Sequence, residues 1–140
     1  MQIHAYLTFA GNCREAMTFY KRCLGGELSF QTVGDSAFSG IMPANMKNYV
    51  LHATLRNDFL VMMASDMVGD DGLVKGNTIS LMVNCKSEKE AVRCYEYLSK
   101  GGIATNPLNV NLWGALFGNL TDRYGNNWLI VYQPERVMVT

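Results

Sequence analysis

The amino-acid sequence predicts an α+β fold built from two tandem βαβββ modules, and three observations predict it. Between Ile3 and Gly26 the apolar period changes from two residues to the helical repeat. The same strand, capped helix and Gly-Gly ending return between Thr78 and Gly102, about half the chain later. Behind each helix, further segments alternate as strands do and are joined by turn residues.

The first strand covers Ile3 to Phe9, with Ile3, Ala5, Leu7 and Phe9 on one face and His4, Tyr6 and Thr8 on the other. A helix follows, its stripe made by Ala16, Phe19, Tyr20, Cys23 and Leu24, with Asn12 placed to cap it and Gly25-Gly26 to end it. Glu27 to Val33 reads as a second strand. The stretch from Gly34 to Asn48 has no sustained period and reads as a loop, long enough to serve as a lid. A hairpin is expected next, Tyr49 to Arg56 and Phe59 to Ser65, turned by Asn57-Asp58. In its first strand His52 and Thr54 share a face opposite Leu51, Ala53 and Leu55.

Residues 67–76 form the linker between a first module of about 1–66 and a second of about 77–140. The Asp70-Asp71-Gly72 turn lacks the spaced ligand series of a calcium loop and reads as a solvated turn. In the second module Ile79, Leu81 and Val83 alternate with Thr78, Ser80 and Met82. A Ser87-x-x-Glu90 capping box then opens a helix with the stripe Ala91, Cys94, Tyr95 and Leu98, ending at Gly101-Gly102. Aligning Glu15-Ala16 with Glu90-Ala91 also aligns Tyr20 with Tyr95. A short strand near Ile103, a turn at Asn106-Pro107, and a hairpin of Trp113 to Thr121 and Asn127 to Gln133 complete the chain's elements. Joined, the two small sheets make a curved half-barrel with helices outside and a concave side suited to a ligand.

A chain of 140 residues with 49% hydrophobic and 17% charged residues is ordinary for one globular domain. Twelve basic residues balance twelve acidic ones, so no net charge draws the chain to nucleic acid or a membrane surface. Neither an apolar run long enough to span a bilayer nor a signal-peptide pattern is present, and a cytoplasmic location is expected. Cys13, Cys23, Cys85 and Cys94 form no Cys-x-x-Cys pair, and buried reduced thiols are expected.

The segments YLTFAGNCREAMTFYKRCLGG, HATL followed by LVMMASD, NTISLMVN, and WGALFGNLTDRYGNNW carry a resemblance over nearly the whole length. The chain resembles the PhnB-like branch, also labelled demethylubiquinone methyltransferase-like, of the vicinal oxygen chelate superfamily of glyoxalase I, extradiol dioxygenases and bleomycin-resistance proteins. The resemblance implies a glyoxalase-like fold and a homodimer. It does not imply one reaction, because one fold hosts many chemistries. The methyltransferase label finds no support in the residues, since both Gly-Gly pairs follow a helix and neither opens one.

Metal-dependent members place His, Glu or Gln on the concave face. Carried over by position, those ligand sites fall on His4, Thr54, Thr78 and Leu129, of which only His4 can ligate. His52 lies on the face of Thr54, but two imidazoles without a carboxylate hold a metal weakly. Neither a metal site nor a cofactor is expected. Cys13 or Cys85 at a strand-to-helix turn could act as a nucleophile, yet no base is identifiable for either.

What remains is a mixed lining for a small, partly aromatic organic molecule. The first module contributes His4, Tyr6, Thr8, His52 and Thr54; the second contributes Thr78, Ser80, Trp113, Phe117 and Asn119. Three functions compete. One is a metal-free small-molecule-binding protein, the second a lyase, isomerase or dioxygenase using a metal or a His4-centred base, and the third a ligand-free dimeric structural module.

Overall fold

The structure, a computed structural model, describes residues 1–37 and 39–134. Phe38 in the predicted loop and the end of the second module beyond residue 134 lie outside the described residues. Two compact units divide between Val74 and Lys75.

The first unit runs β1 (Ala5–Thr8), α1 (Cys13–Leu24), β2 (Glu27–Thr32), a single 3-10 turn (Ala44–Met46), β3 (Val50–Arg56) and β4 (Val61–Ser65). The second runs β5 (Leu81–Cys85), α2 (Glu88–Ser99), β6 (Ile103–Val110), β7 (Leu116–Thr121) and β8 (Asn127–Tyr132). Each unit is βαβββ, and the strand orders β1-β4-β3-β2 and β5-β8-β7-β6 are the same topology. In both, the first strand pairs in parallel with the last, while the other pairings are antiparallel. The intervening helix lets the chain return in the same direction.

Each helix covers one face of its own sheet. On α1 the buried residues are Cys13, Ala16, Met17, Phe19, Tyr20 and Cys23, and on α2 they are Ala91, Cys94, Tyr95 and Leu98. Beneath α1 lie Ala53, Leu55, Met62 and Ala64, and the second sheet buries Leu120, Trp128 and Ile130. These residues alternate along their strands, as a half-buried sheet requires.

The repeated Gly-Gly has one explanation in both units. Its first member takes a positive φ, 78° at Gly25 and 80° at Gly101, which turns the chain out of the helix. Its second member lies against the end of the third strand of its unit. A Cβ at Gly26 would stand 2.8 Å from the Arg56 carbonyl oxygen, and one at Gly102 would stand 2.2 Å from that of Thr121.

Several boundaries differ from the periodicity. β1 and β5 begin later than expected, at Ala5 and Leu81, so Ile3 and Ile79 are exposed at 93% and 77%. Alternation continues past the point where a paired neighbour exists, and without a neighbour there is no strand. The hairpin between β3 and β4 turns over Asn57 to Leu60: the Asn57 amide donates to the Leu60 carbonyl, and the Phe59 amide to Asn57 Oδ1. Pro107 lies inside β6 and makes no turn. β6 is an edge strand whose register shifts on both sides of Asn106, so a missing N–H is tolerated there. Among the described residues no helix is long and apolar enough to cross a membrane.

Candidate functional site

The face of the first sheet turned away from α1 is set by the odd-even phase of its strands. β1 places Tyr6 beside Met63 of β4, and Met63 in turn pairs with Thr54 of β3. His52 lies two residues before Thr54 and therefore on the same face. The rings of Tyr6 and His52 are tilted by 36° with centroids 6.1 Å apart. Thr54 Oγ1 and His52 Nε2 lie 3.1 Å apart in a hydrogen bond whose direction follows the imidazole tautomer. Tyr6 is 52% exposed, and His52 and Thr54 are half-buried. A phenol, an imidazole and a hydroxyl thus meet on an accessible surface beside the soft thioether of Met63, which sequence reasoning missed because strand register alone brings it in. Such a surface can stack a flat ring and exchange hydrogen bonds with its substituents.

The other expected residues of this unit lie at the margin. Thr8 ends β1 and is exposed, and His4 is exposed ahead of β1.

In the second unit, Phe117 and Asn119 lie on the face of β7 away from α2, opposite the direction of buried Gly118 and Leu120. Asn119 Oδ1 accepts from Asn106 Nδ2 at 2.8 Å, so the carboxamide is held across the strands. Its neighbour Thr121 Oγ1 donates to Asn127 Oδ1 at 3.1 Å. Asn106 takes part because β6 extends through the stretch expected to turn.

Three expected members of the lining are placed differently from the strand reading. Thr78 and Ser80 are exposed and precede β5. Trp113 is not in β7; it sits in the turn before it, 78% exposed. That turn is built by Asn111, whose Oδ1 accepts from the Trp113 and Ala115 amides, both at 3.0 Å. A side-chain acceptor holding two amides competes with the ladder, and the strand begins only after it.

The strand-to-helix turns bear on nucleotide-like cofactors, which need free amides at a helix N-terminus. Asp66, buried just after β4, fills that position in the first unit: its Oδ1 accepts from the Gly11 and Cys13 amides at 2.8 and 3.0 Å, and its Oδ2 from the Val50 amide at 2.8 Å. Asn12, at the N-cap, makes no side-chain cap bond. In the second unit Ser87 Oγ accepts from the Glu90 amide at 3.0 Å, and Glu90 Oε1 accepts from the Lys86 amide at 3.0 Å. At both helix starts, then, side-chain oxygens of the chain itself take a first-turn amide, that of Cys13 in the first unit and that of Glu90 in the second.

Cys13 and Cys85 are poor nucleophiles in this setting. Burial, then the negative charge of Asp66, pushes the Cys13 thiol up to about 12. Cys85, the last residue of β5, is also pushed up, first by its hydrogen bond to Cys94 and then by burial. Among the described residues, no group of three or more His, Cys, Asp or Glu side chains is placed to hold a metal ion.

Comparison with known proteins follows the same lines. A family model described as 3-demethylubiquinone-9 3-methyltransferase matches residues 1–131. The chain is 36% identical to protein PA1353 from Pseudomonas aeruginosa, whose crystal structure superposes with a TM-score of 0.84 over 95% of this chain and 98% of that one. Protein YjdN of Escherichia coli K12 is 28% identical, over 93% of this chain and 94% of its own. A Bacillus cereus PhnB protein, described as a putative 3-demethylubiquinone-9 3-methyltransferase, shares the fold at 24% identity and a TM-score of 0.73, covering 95% and 100% of the two chains. More distant solved structures with this fold are glyoxalase-related or belong to the glyoxalase/bleomycin resistance protein/dioxygenase superfamily. With the match spanning nearly its whole length, the chain belongs to the PhnB-like family described as 3-demethylubiquinone-9 3-methyltransferase, on the glyoxalase fold.

Proposed function

We propose that the protein is a metal-free small-molecule-binding protein of the cytoplasm, acting as a homodimer and holding a small, partly aromatic ligand over the first sheet. The juxtaposition of Tyr6, His52 and Thr54 carries this reading, because it combines two rings and a hydroxyl on an accessible face. The ring of the ligand stacks on Tyr6, the imidazole and hydroxyl take its polar substituents, and Met63 conforms to its edge. Binding without metal is favoured by the donor set: of the positions aligned with superfamily ligands, Thr54, Thr78 and Leu129 supply no imidazole or carboxylate.

A thermal-shift screen of aromatic metabolites and antibiotics tests the proposal. A compound that binds only the folded state stabilises it by about 2.7 kcal/mol at one hundred times its Kd, a shift that is easily read. Tyr6→Ala and His52→Ala are expected to abolish the shift while leaving the unliganded melting temperature nearly unchanged. A shift that survives both variants would place the ligand elsewhere. Near-stoichiometric nickel, zinc or iron in protein purified without a His tag would overturn the metal-free reading in favour of a metal-dependent enzyme.

The homodimer is supported by Leu112 and Trp113, exposed at 95% and 78% on a turn fixed by Asn111. Light scattering coupled to size exclusion should give a mass of two chains, shifted towards one in Trp113→Ser. A wild-type protein of one-chain mass would refute it.

A further inference from the structure

One row of residues crosses the whole open face of the first sheet. Tyr6 pairs with Met63, Met63 with Thr54, and Thr54 with Ser29, so every strand contributes to it. The next row on the same face sets Gln31 opposite His52. Strand register gives these residues counterparts in the second unit, where Met82 pairs with Leu129, Leu129 with Asn119, Asn119 with Asn106, and Phe117 with Asn109. There the carboxamides are engaged by the chain itself. Asn106 donates to Asn119 at 2.8 Å, and Asn109 Oδ1 accepts from the Val110 amide at 2.9 Å. In the first unit the side chains of Ser29 and Gln31 are exposed and make no hydrogen bond among the described residues, and His52 bonds only through Nε2. The same topology thus closes its amide groups on one sheet and leaves one open on the other.

We infer that Gln31 sets the ligand class of this face, which takes a neutral, fused two-ring heteroaromatic molecule carrying an N–H and a C=O on adjacent ring atoms, the edge of a cyclic amide. The inference rests on the ligand site proposed above and adds its specificity. A carboxamide presents an acceptor oxygen beside a donor nitrogen, so it meets a cyclic-amide edge with two hydrogen bonds at once. The hydroxyls of Thr54 and Ser29 and the remaining nitrogen of His52 make single contacts. None of Tyr6, Met63, Thr54, Ser29, His52 and Gln31 carries a fixed charge, and one row beyond Thr54 and Ser29 the opposite charges of Arg56 and Glu27 face each other. A neutral ring therefore suits the face better than an anion. Size follows from the same register: the Tyr6 and His52 rings are 6.1 Å apart, and Gln31 lies one strand spacing, about 5 Å, beyond His52. Two fused rings stacked on Tyr6 reach the amide of Gln31 across that distance.

The test titrates the full chain with carbostyril, a fused two-ring cyclic amide, and with N-methylcarbostyril, which keeps the rings and carbonyl but has lost the donor. The wild type is expected to bind carbostyril about tenfold more tightly, the discrimination that a two-bond amide contact provides. Gln31→Leu, at an exposed position that the fold does not need, should remove this preference and leave the affinity for N-methylcarbostyril unchanged. The side-chain NH2 signals of Gln31 in nitrogen-correlated NMR spectra, identified by their absence in Gln31→Leu, should shift with carbostyril. The class is overturned if carbostyril does not bind, if the two probes bind equally to the wild type, or if the preference survives Gln31→Leu. Equal binding that Tyr6→Ala still abolishes overturns the class while the site itself stands. Binding indifferent to both Tyr6→Ala and Gln31→Leu overturns site and class together.

Discussion

The two units start their helices by different means. In the second, the oxygen that accepts the Glu90 amide is three residues away on Ser87, and Glu90 returns a bond to Lys86. In the first, the acceptor of the Cys13 amide is Asp66, 53 positions distant, and Asn12 at the N-cap contributes no side-chain bond. One topology therefore accommodates a local cap and a tertiary one. The tertiary cap does more, since the same carboxylate holds the amides of the β1–α1 turn and that of Val50 at the start of β3. It ties helix and sheet together, where the local box serves only its helix.

Removing the tertiary cap should produce the largest effect. Asp66→Ala leaves three amides without their acceptor in a buried place, at about 1 to 3 kcal/mol for each group left unsatisfied, so a loss on the order of 3 kcal/mol or more is expected in urea unfolding. A loss no greater than that from a surface cap would show that water takes over the bonds.

The next effect sharpens the comparison through pH. The Cys13 thiol, held at about 12 against an ordinary 9.0, keeps its proton in the folded state after the unfolded chain has released it. The unfolded state then binds fewer protons, so stability is fully present below about pH 9 and falls as pH rises towards about 12. Urea midpoints measured from about pH 8 to about pH 11 should decline more steeply in the wild type than in Cys13→Ala. Parallel slopes would refute the assignment.

Ser87→Ala should cost about 1 kcal/mol, the ordinary worth of a helix N-cap, with no change in the urea slope. The smallest effect belongs to Asn12→Ala. A residue without a cap bond at that position is expected to change stability by less than about 0.5 kcal/mol. A loss as large as that of Ser87→Ala would mean that Asn12 caps its helix in solution.

The same contrast explains which parts of the molecule were legible. The α2 stripe, its Ser87 box and both Gly-Gly endings depend on contacts within a few residues or on backbone conformation, and each appears in the sequence as spacing. Their order alone yields βαβββ twice. Tyr6, His52 and Thr54 were legible as members of one face for the same reason, since strand parity is a local property. Thr78, Ser80 and Trp113 were misplaced in strands because alternation does not reveal where pairing stops. Asn106 and Met63 were missed because only cross-strand register sets Asn106 beside Asn119 and Met63 beside Tyr6.

By itself, then, the order of residues determined the duplicated architecture, the helix boundaries of the second unit and the chemical character of the open faces, because these follow from period and short-range capping. Tertiary structure alone decided that Asp66 caps a helix that starts 53 positions before it, and which ring lies against His52. Those outcomes depend on through-space neighbours brought together by sheet pairing, and no spacing along the chain encodes them.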